Sequence, residues 1–493
     1  MTLFFICLAI LIAGYFTYGK FVEKIIGPDD RATPAITSGD GVDYVPLPKW
    51  KNLLIQLLNI AGVGPVIGVI AGIKFGKIAF LIIPLGCVLL GAVHDFLGGM
   101  LSLRMNGANL PKIIRTYLGK TYAMIFSWTL VFLLLLVVAV FINVPANLID
   151  RTAFPDTPFF WWAVGVIFAY YVVATLFPVD KIIGTVYPFF GALLAIGSVA
   201  MLGAIVAEGF KNPELLSESA AFIQYHDDVF NANGRSPVFP LLFVTIACGI
   251  ISGFHATQSP IVARTMKSER EARLTFYGMM IAEGIIAMIW AAAALAIYNI
   301  EPGNLKLAPA VVLGNATTMF LGKWLGGVTV FAIVALAITS GDTALRSLRL
   351  SLAEMFRIPQ ARLAPRVMIC LPLIVIVALL LLWSNKSAQS FNHLWNYFAW
   401  GNQVLSASTL MACTAWLVSE GKKTKSLVAL VPGVFMTSVV VSFIFWTSAD
   451  KGQPWGLVPG GLPLNASIIV SGVVAIAFAL FAVKRGRDIG KSK

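Results

Sequence analysis

Charge is scarce in this sequence: 12% of its 493 residues are Asp, Glu, Lys or Arg, against 58% that are hydrophobic. A soluble globular domain carries roughly a quarter charged residues, so this chain lacks the polar surface that such a domain needs. Cysteine is sparse too. Cys7, Cys87, Cys248, Cys370 and Cys413 all fall in apolar runs, and none stands in a C-x-x-C pair or at metal-ligand spacing. From that pattern no disulfide or metal framework follows, and the cysteines are expected to pack as small hydrophobes. No H-E-x-x-H, G-x-S-x-G or pair of intramembrane aspartates marks an enzyme. No ATP-binding motif supplies direct ATP drive, and neither a filter-like repeated loop nor a ring of like charges argues for a channel. The expectation is therefore no enzyme, no cofactor and no metal.

What is present is a succession of apolar runs, each of about twenty residues and long enough to cross a bilayer. They predict an all-α polytopic membrane protein with about thirteen spans. The first six cover residues 2–19, 52–73, 78–103, 123–144, 159–178 and 186–207. The rest cover 238–262, 275–299, 324–345, 366–384, 391–417, 427–447 and 464–484. The first run has no basic segment before it and no small-residue cleavage site after it, so it reads as a retained span rather than a signal peptide. The net charge of +13 comes from basic loops, which are the signature of cytoplasmic membrane loops and not of nucleic-acid binding. On this map about three quarters of the lysines and arginines lie on alternate connections that include the C-terminus, which places the C-terminus in the cytoplasm and the N-terminus outside. The clusters Arg264/Lys267/Arg270/Arg273 and Arg346/Arg349/Arg357/Arg362 read as solvated or headgroup-facing loops. The implied partners are membrane lipid and a small-molecule or peptide substrate.

Two of the runs are interrupted. Gly62, Gly64, Pro65 and Gly68 break the second, and Gly249, Gly253 and Pro260 break the seventh, within ACGIISGFHATQSP (Ala247 to Pro260). Proline removes a backbone donor and glycine tolerates unwound backbone. Each interruption opens a block of five spans, 52–207 and 238–417, and the charge map makes the two blocks enter the membrane from opposite sides. The remaining segments are 1–51 with an extra span and a cytoplasmic loop, an external loop at 208–237, and 418–493 with two further spans and a basic tail. Two discontinuous helices at matching places in inverted halves are the sequence pointer to a secondary transporter's central site. The alternative is a pair of kinked helices packed through small residues.

The phrases GVDYVP (Gly41 to Pro46), AGVGPVIG (Ala61 to Gly68), GAVHDF (Gly91 to Phe96), ACGIISGFHATQSP, ITSGDTALRS (Ile338 to Ser347) and LWNYFAWGNQ (Leu394 to Gln403) resemble the carbon starvation protein A family. They recur in family order over most of the chain. The resemblance implies a transporter that takes up short peptides or, in some members, pyruvate, across the cytoplasmic membrane. It also implies a five-plus-five inverted repeat of the LeuT type.

The polar residues in the apolar runs are the candidate site. Gly62, Gly64, Pro65, Ser252 and Gly253 mark the breaks expected to bind substrate, with breaks placed at 62–65 and 253–259. His255 and Gln258 either line the cavity or bond to backbone and hold the break. Asp95, beside His94, has no basic residue within its span. A carboxylate at mid-span costs about 2.5–3.5 kcal/mol on insertion scales, so a partner is expected, and the role is either proton carrier, cation ligand or interhelical anchor. Glu283 lies near the start of its span, with pairing to a loop arginine open. By the LeuT-type resemblance, Thr339 and Ser340 form a sodium-binding hydroxyl pair completed by carbonyls near Ala61 and Gly64; hydroxyls bonded back to their own helix are the alternative. Asp342 either joins that site or pairs with Arg346 at i,i+4. Asn402 and Gln403, after Trp395, Phe398 and Trp400, line or gate the cavity. The coupling ion is a proton or sodium.

Overall fold

A computed structural model describes all residues except 1, 42, 154–156, 177–178, 218–236, 361, 452 and 493, with backbone alone at 77, 152–153, 179–188, 302, 388–389 and 392. Most of the expected external loop at 208–237 lies outside the described residues. The described residues form helices and no strand, as the absence of water in a bilayer requires of any spanning backbone that is not a closed barrel.

In chain order the helices are α1 Thr2–Phe16, α2 Tyr18–Ile26, α3 Lys49–Ile60, α4 Gly64–Phe75, α5 Ile78–Arg104, α6 Leu110–Leu118, α7 Lys120–Ala153, α8 Phe160–Leu176 and α9 Val179–Lys211. There follow α10, a chain of short helical pieces over 238–250, then α11 Gly253–Ala263, α12 Glu269–Ile300, α13 Pro309–Phe356, α14 Leu363–Ser384, α15 Ala388–Ser419, α16 Leu427–Trp446 and α17 Leu464–Lys491. Among the described residues nine helices are long and apolar enough to cross a membrane, or ten if α3 and α4, bent by 51° at their break, make one span. The other three expected spans have helical counterparts that fall short of that standard. α8 is a shorter apolar helix, α10 and α11 are pieces of an interrupted run, and α15 is long but carries Asn, Gln, Ser and Thr through its length. The sequence map also missed the first part of α13, which runs to Gly322, where φ of 70° folds the chain before the helix resumes.

Both interruptions are real, but the second is not where Gly253–Ser259 placed it. The extended residues are Ile251 (φ −169°, ψ 130°) and Ser252 (φ −135°, ψ 128°), and residues 253 to 263 are helix. Pro260 sits inside α11 without ending it, and Pro65 sits in the first turn of α4, where a missing N–H costs nothing. The prolines are carried by the half-helices and the unwound residues precede them. Close packing explains the glycines. A Cβ on Gly64 would lie 2.0 Å from Cys248 Cβ, so the absence of a side chain lets α4 touch α10. On Gly253 it would meet Leu405 Cβ at 2.2 Å and the Asn402 carbonyl oxygen at 2.3 Å, which seats α11 against α15.

One face of the bundle is crossed by the segment between α2 and α3. Thr33 donates to the Met266 carbonyl (2.5 Å), the Leu47 amide to the Thr265 carbonyl (2.9 Å), and the Arg264 guanidinium stacks 5.1 Å from the Tyr44 ring. Two basic clusters read as solvated loops are therefore corrected in part, since Arg264, Arg346 and Arg349 are buried. Their guanidinium groups satisfy oxygen atoms left at helix ends and turns: Arg264 donates to the Gly107 carbonyl, Arg346 to the Ala174 carbonyl and Arg349 to Gln360 Oε1. Four of the five cysteines are buried, and Cys248 is half-buried.

Gly253→Ala should lower the thermal stability of the purified protein by about 1–3 kcal/mol, the usual cost of overpacking. Gly165→Ala, where a Cβ would meet nothing within 4 Å, should leave it unchanged. Thermal unfolding in detergent reads both, and an unaltered Gly253→Ala melt would contradict the packing described.

Candidate functional site

At the second break a single amide replaces the lost helical acceptor. The Asn402 Oδ1 of α15 accepts from the Ser252 hydroxyl and from the Phe254 backbone N–H, both at 3.2 Å, while its Nδ2 donates to the Phe398 carbonyl at 2.9 Å. Asn402 thus caps α11 from a different helix, in the way an N-cap residue does from its own. Gln403 next to it donates to the Phe243 carbonyl of α10, and its Oε1 is buried with no hydrogen-bond partner among the described residues. The pair expected to gate the cavity clasps both halves of the broken helix.

The cap sets His255 in the first turn of α11, fully buried. Its Nδ1 lies 2.9 Å from Asp95 Oδ2, and His94 Nδ1 lies 2.8 Å from Asp95 Oδ1, so one carboxylate of α5 meets two imidazoles. These histidines are the partners that the absence of a nearby lysine or arginine left to be found. On its other side His255 Nε2 stands 3.7 Å from Glu283 Oε2 of α12. Glu283 is fully buried, and neither carboxylate oxygen has a hydrogen-bond partner among the described residues. Sequence reasoning gave Glu283 little weight because it lies near the start of an apolar run. The signal available was its i+3 spacing from Met280 and its i−3 spacing from Ile286 on a buried face. Two carboxylates and two imidazoles without a lysine or arginine among them form a set whose charge is balanced only by protons taken up from outside it or by a bound cation.

Gln258, one turn along α11, donates to Thr257 Oγ1 (3.0 Å) and Ser347 Oγ (3.4 Å), while its Oε1 is buried without a partner among the described residues. Gln56 and Asn59 on α3 are fully buried, with both side-chain polar atoms unpartnered among the described residues. Buried polar atoms in native proteins are nearly always bonded to protein or water, so their concentration on α3, α11 and α12 marks a polar core suited to water, ion or solute.

At the first break Ser340 of α13 donates to the carbonyls of Leu58 (3.0 Å) and Asn59 (3.2 Å). Thr339 donates to its own helix at Leu336 (2.9 Å) and more distantly to Leu58 (3.4 Å). Thus the carbonyls bonded to the hydroxyl pair are those of Leu58 and Asn59, at the end of α3 just before Ala61. Asp342 belongs to another contact set and accepts from the Tyr170 hydroxyl at 2.7 Å. Arg346 Nη1 stands 3.6 Å from Asp43 Oδ1. Above both breaks Phe141 packs edge-on against Phe254 (5.8 Å) and Phe398 (5.7 Å), and Phe398 meets Trp395 (5.5 Å). A Cβ on Gly62 would lie 2.7 Å from Phe141 Cζ, so this aromatic layer rests on the first break.

A family model described as carbon starvation protein CstA matches residues 1–164, 158–321 and 317–442. An uncharacterized membrane protein of Haemophilus influenzae is 41% identical over 343 residues, covering 61% of this chain and 92% of that one. The pyruvate/proton symporter BtsT of Escherichia coli is 28% identical, over 60% of this chain and 48% of that protein. The peptide transporter CstA of Helicobacter pylori is also 28% identical, over 56% of this chain and 48% of its own. The chain therefore spans about half the length of these two named transporters. Among solved structures, the manganese transporter of Eremococcus coleocola shares the fold at a TM-score of 0.59 and 14% identity, with 92% of this chain and 99% of that one aligned. By sequence and by the motifs that build its polar core, the chain belongs to the carbon starvation protein CstA family.

Proposed function

We propose that this protein is a secondary active importer of small nutrients across the cytoplasmic membrane, with short peptides as first substrate class and pyruvate as second. The proposal includes thirteen spans, with 52–207 and 238–417 as inverted five-helix units of LeuT type. It also places the N-terminus outside and the C-terminus in the cytoplasm, in line with the basic loops. The observation that carries it is the meeting of the interrupted helix α11 with α5 and α12 at a buried Asp95–His255–Glu283 set. Unwound backbone in hydrocarbon is tolerated only where protein or a polar cavity surrounds it, and ionisable groups at that depth mark ion or substrate pathways. The names of the relatives, a pyruvate/proton symporter and peptide transporters, agree in class.

Protons are the favoured coupling ion. Asp95 and Glu283 both stand beside His255, so a proton taken up or released by this set alters the charge of the core without moving any helix. The sodium reading retains one specific observation, the Ser340 hydroxyl set against the Leu58 and Asn59 carbonyls. In the present arrangement that hydroxyl donates to those carbonyls, which supports a structural tie between α13 and the end of α3.

Uptake into proteoliposomes, with proton and sodium gradients imposed separately, tests the whole reading. Trialanine or pyruvate should accumulate with an inward proton gradient; accumulation driven by sodium at fixed pH and indifferent to protons would overturn the coupling assignment. Asp95→Asn should abolish gradient-driven accumulation, by a factor of about 100 or more, while substrate exchange across the membrane persists. Glu283→Gln, which removes a carboxylate that accepts no hydrogen bond among the described residues, should uncouple in the same way with little loss of fold. Thr339→Ala with Ser340→Ala should lower stability by about 1–2 kcal/mol through the lost carbonyl contacts and leave proton dependence intact.

A further inference from the structure

On the face opposite the segment that joins α2 to α3, a cavity of about 560 Å³ opens between α4, α7 and the starts of α13 and α15. α7 runs the depth of the bundle. Its Lys120 end borders Glu354 and Arg357 at the close of α13, and its Arg151 end lines this cavity together with Pro309 at the opening of α13. The cavity floor reaches Trp395, which packs on Phe398 and so joins the aromatic layer above the breaks. It is therefore the approach to the polar core from that face.

The lining is unusual in charge. Among the described residues it contains one charged side chain, Arg151, and no carboxylate. Arg151 is exposed and makes no hydrogen bond or ion pair among the described residues. Asn396 likewise spends neither side-chain group on the described protein, and Asn385 uses only its Nδ2, toward the Leu381 carbonyl. The first turns of α13 and α15 border the same space, with Ser387 as the N-cap of α15. Helix N-termini add partial positive charge, and with Arg151 they favour an anion, opposed only by the partial negative charge of the α14 C-terminus at Ser384 and Asn385. Phe391 and Trp395 supply an apolar wall. A volume in the range of small-ligand sites has room for a peptide of a few residues and far exceeds a three-carbon acid.

We propose that this cavity is an entry subsite that selects solutes bearing a carboxylate, with Arg151 taking the carboxylate and Asn385 and Asn396 taking amide groups. The subsite rests on the transport reading above and lies outside the polar core that performs coupling. Its occupant is a carboxylate-bearing solute of peptide size, held before the aromatic layer opens.

Calorimetric binding to the full-length protein in detergent tests the proposal, with trialanine, its C-terminal amide and pyruvate as probes. The wild-type protein should bind trialanine more tightly than the amide. Arg151→Gln should weaken trialanine and pyruvate by about five- to tenfold, as loss of a charge-assisted contact does, and leave the amide unchanged; Arg151→Lys should recover part of the loss. The idea is overturned if neither carboxylate binds, if Arg151→Gln leaves both unaffected, or if it weakens trialanine and the amide alike. Failure of the transport reading would look different: Arg151-dependent binding would persist while no gradient drove uptake in proteoliposomes.

Discussion

Hydrocarbon offers no partner to a backbone N–H or C=O, so each place where a spanning helix unwinds must bring its own. Most of what is distinctive in this protein follows from how two such places are satisfied. At the second break the Asn402 amide oxygen takes over as acceptor for the Ser252 hydroxyl and the Phe254 amide. At the first, the Ser340 hydroxyl donates to the carbonyls of Leu58 and Asn59 just before the helix ends. Each break is held by a helix from elsewhere in the chain, which locks α3 to α13 and α11 to α15.

That arrangement has a consequence for electrostatics. Capping α11 with Asn402 leaves His255 in its first turn and turned toward α5, where Asp95 receives it. Glu283 then approaches the free side of the imidazole from α12. A carboxylate that could not survive alone in a bilayer is kept because imidazoles on two helices face it. In the proposed function, the groups that hold the helices together are also those whose charge responds to a proton or cation, so structure and coupling would share residues. Substitutions there are expected to divide between effects on stability and effects on transport, which is why exchange and gradient-driven uptake must be read separately.

Much of this was legible in the residues. Continuous apolar runs gave helices close to their expected limits, as for 78–103 against Ile78–Arg104 and 427–447 against Leu427–Trp446. Both interruptions were visible from glycine and proline. The place of the second was not, because proline is the stronger local mark whereas the unwinding is set by contact with Asn402, a partner some 150 residues away. The need of Asp95 for a partner was also legible, but its identity depended on α5 meeting α11. Glu283 and the buried Arg346 and Arg349 were underrated for a related reason, since position near a span end says little about which way a side chain packs. The first part of α13 escaped notice because hydropathy averages over the turn at Gly322.

The central claim is that the Asp95–His255–Glu283 set changes its protonation as substrate is handled. Its most direct test is the proton balance of binding itself, followed with a pH-sensitive dye in weakly buffered detergent solution as trialanine or pyruvate is added to the purified protein. The account predicts uptake or release of about one proton per molecule bound, abolished by Asp95→Asn with binding retained. Saturable binding with no change in proton count in the wild-type protein would contradict it.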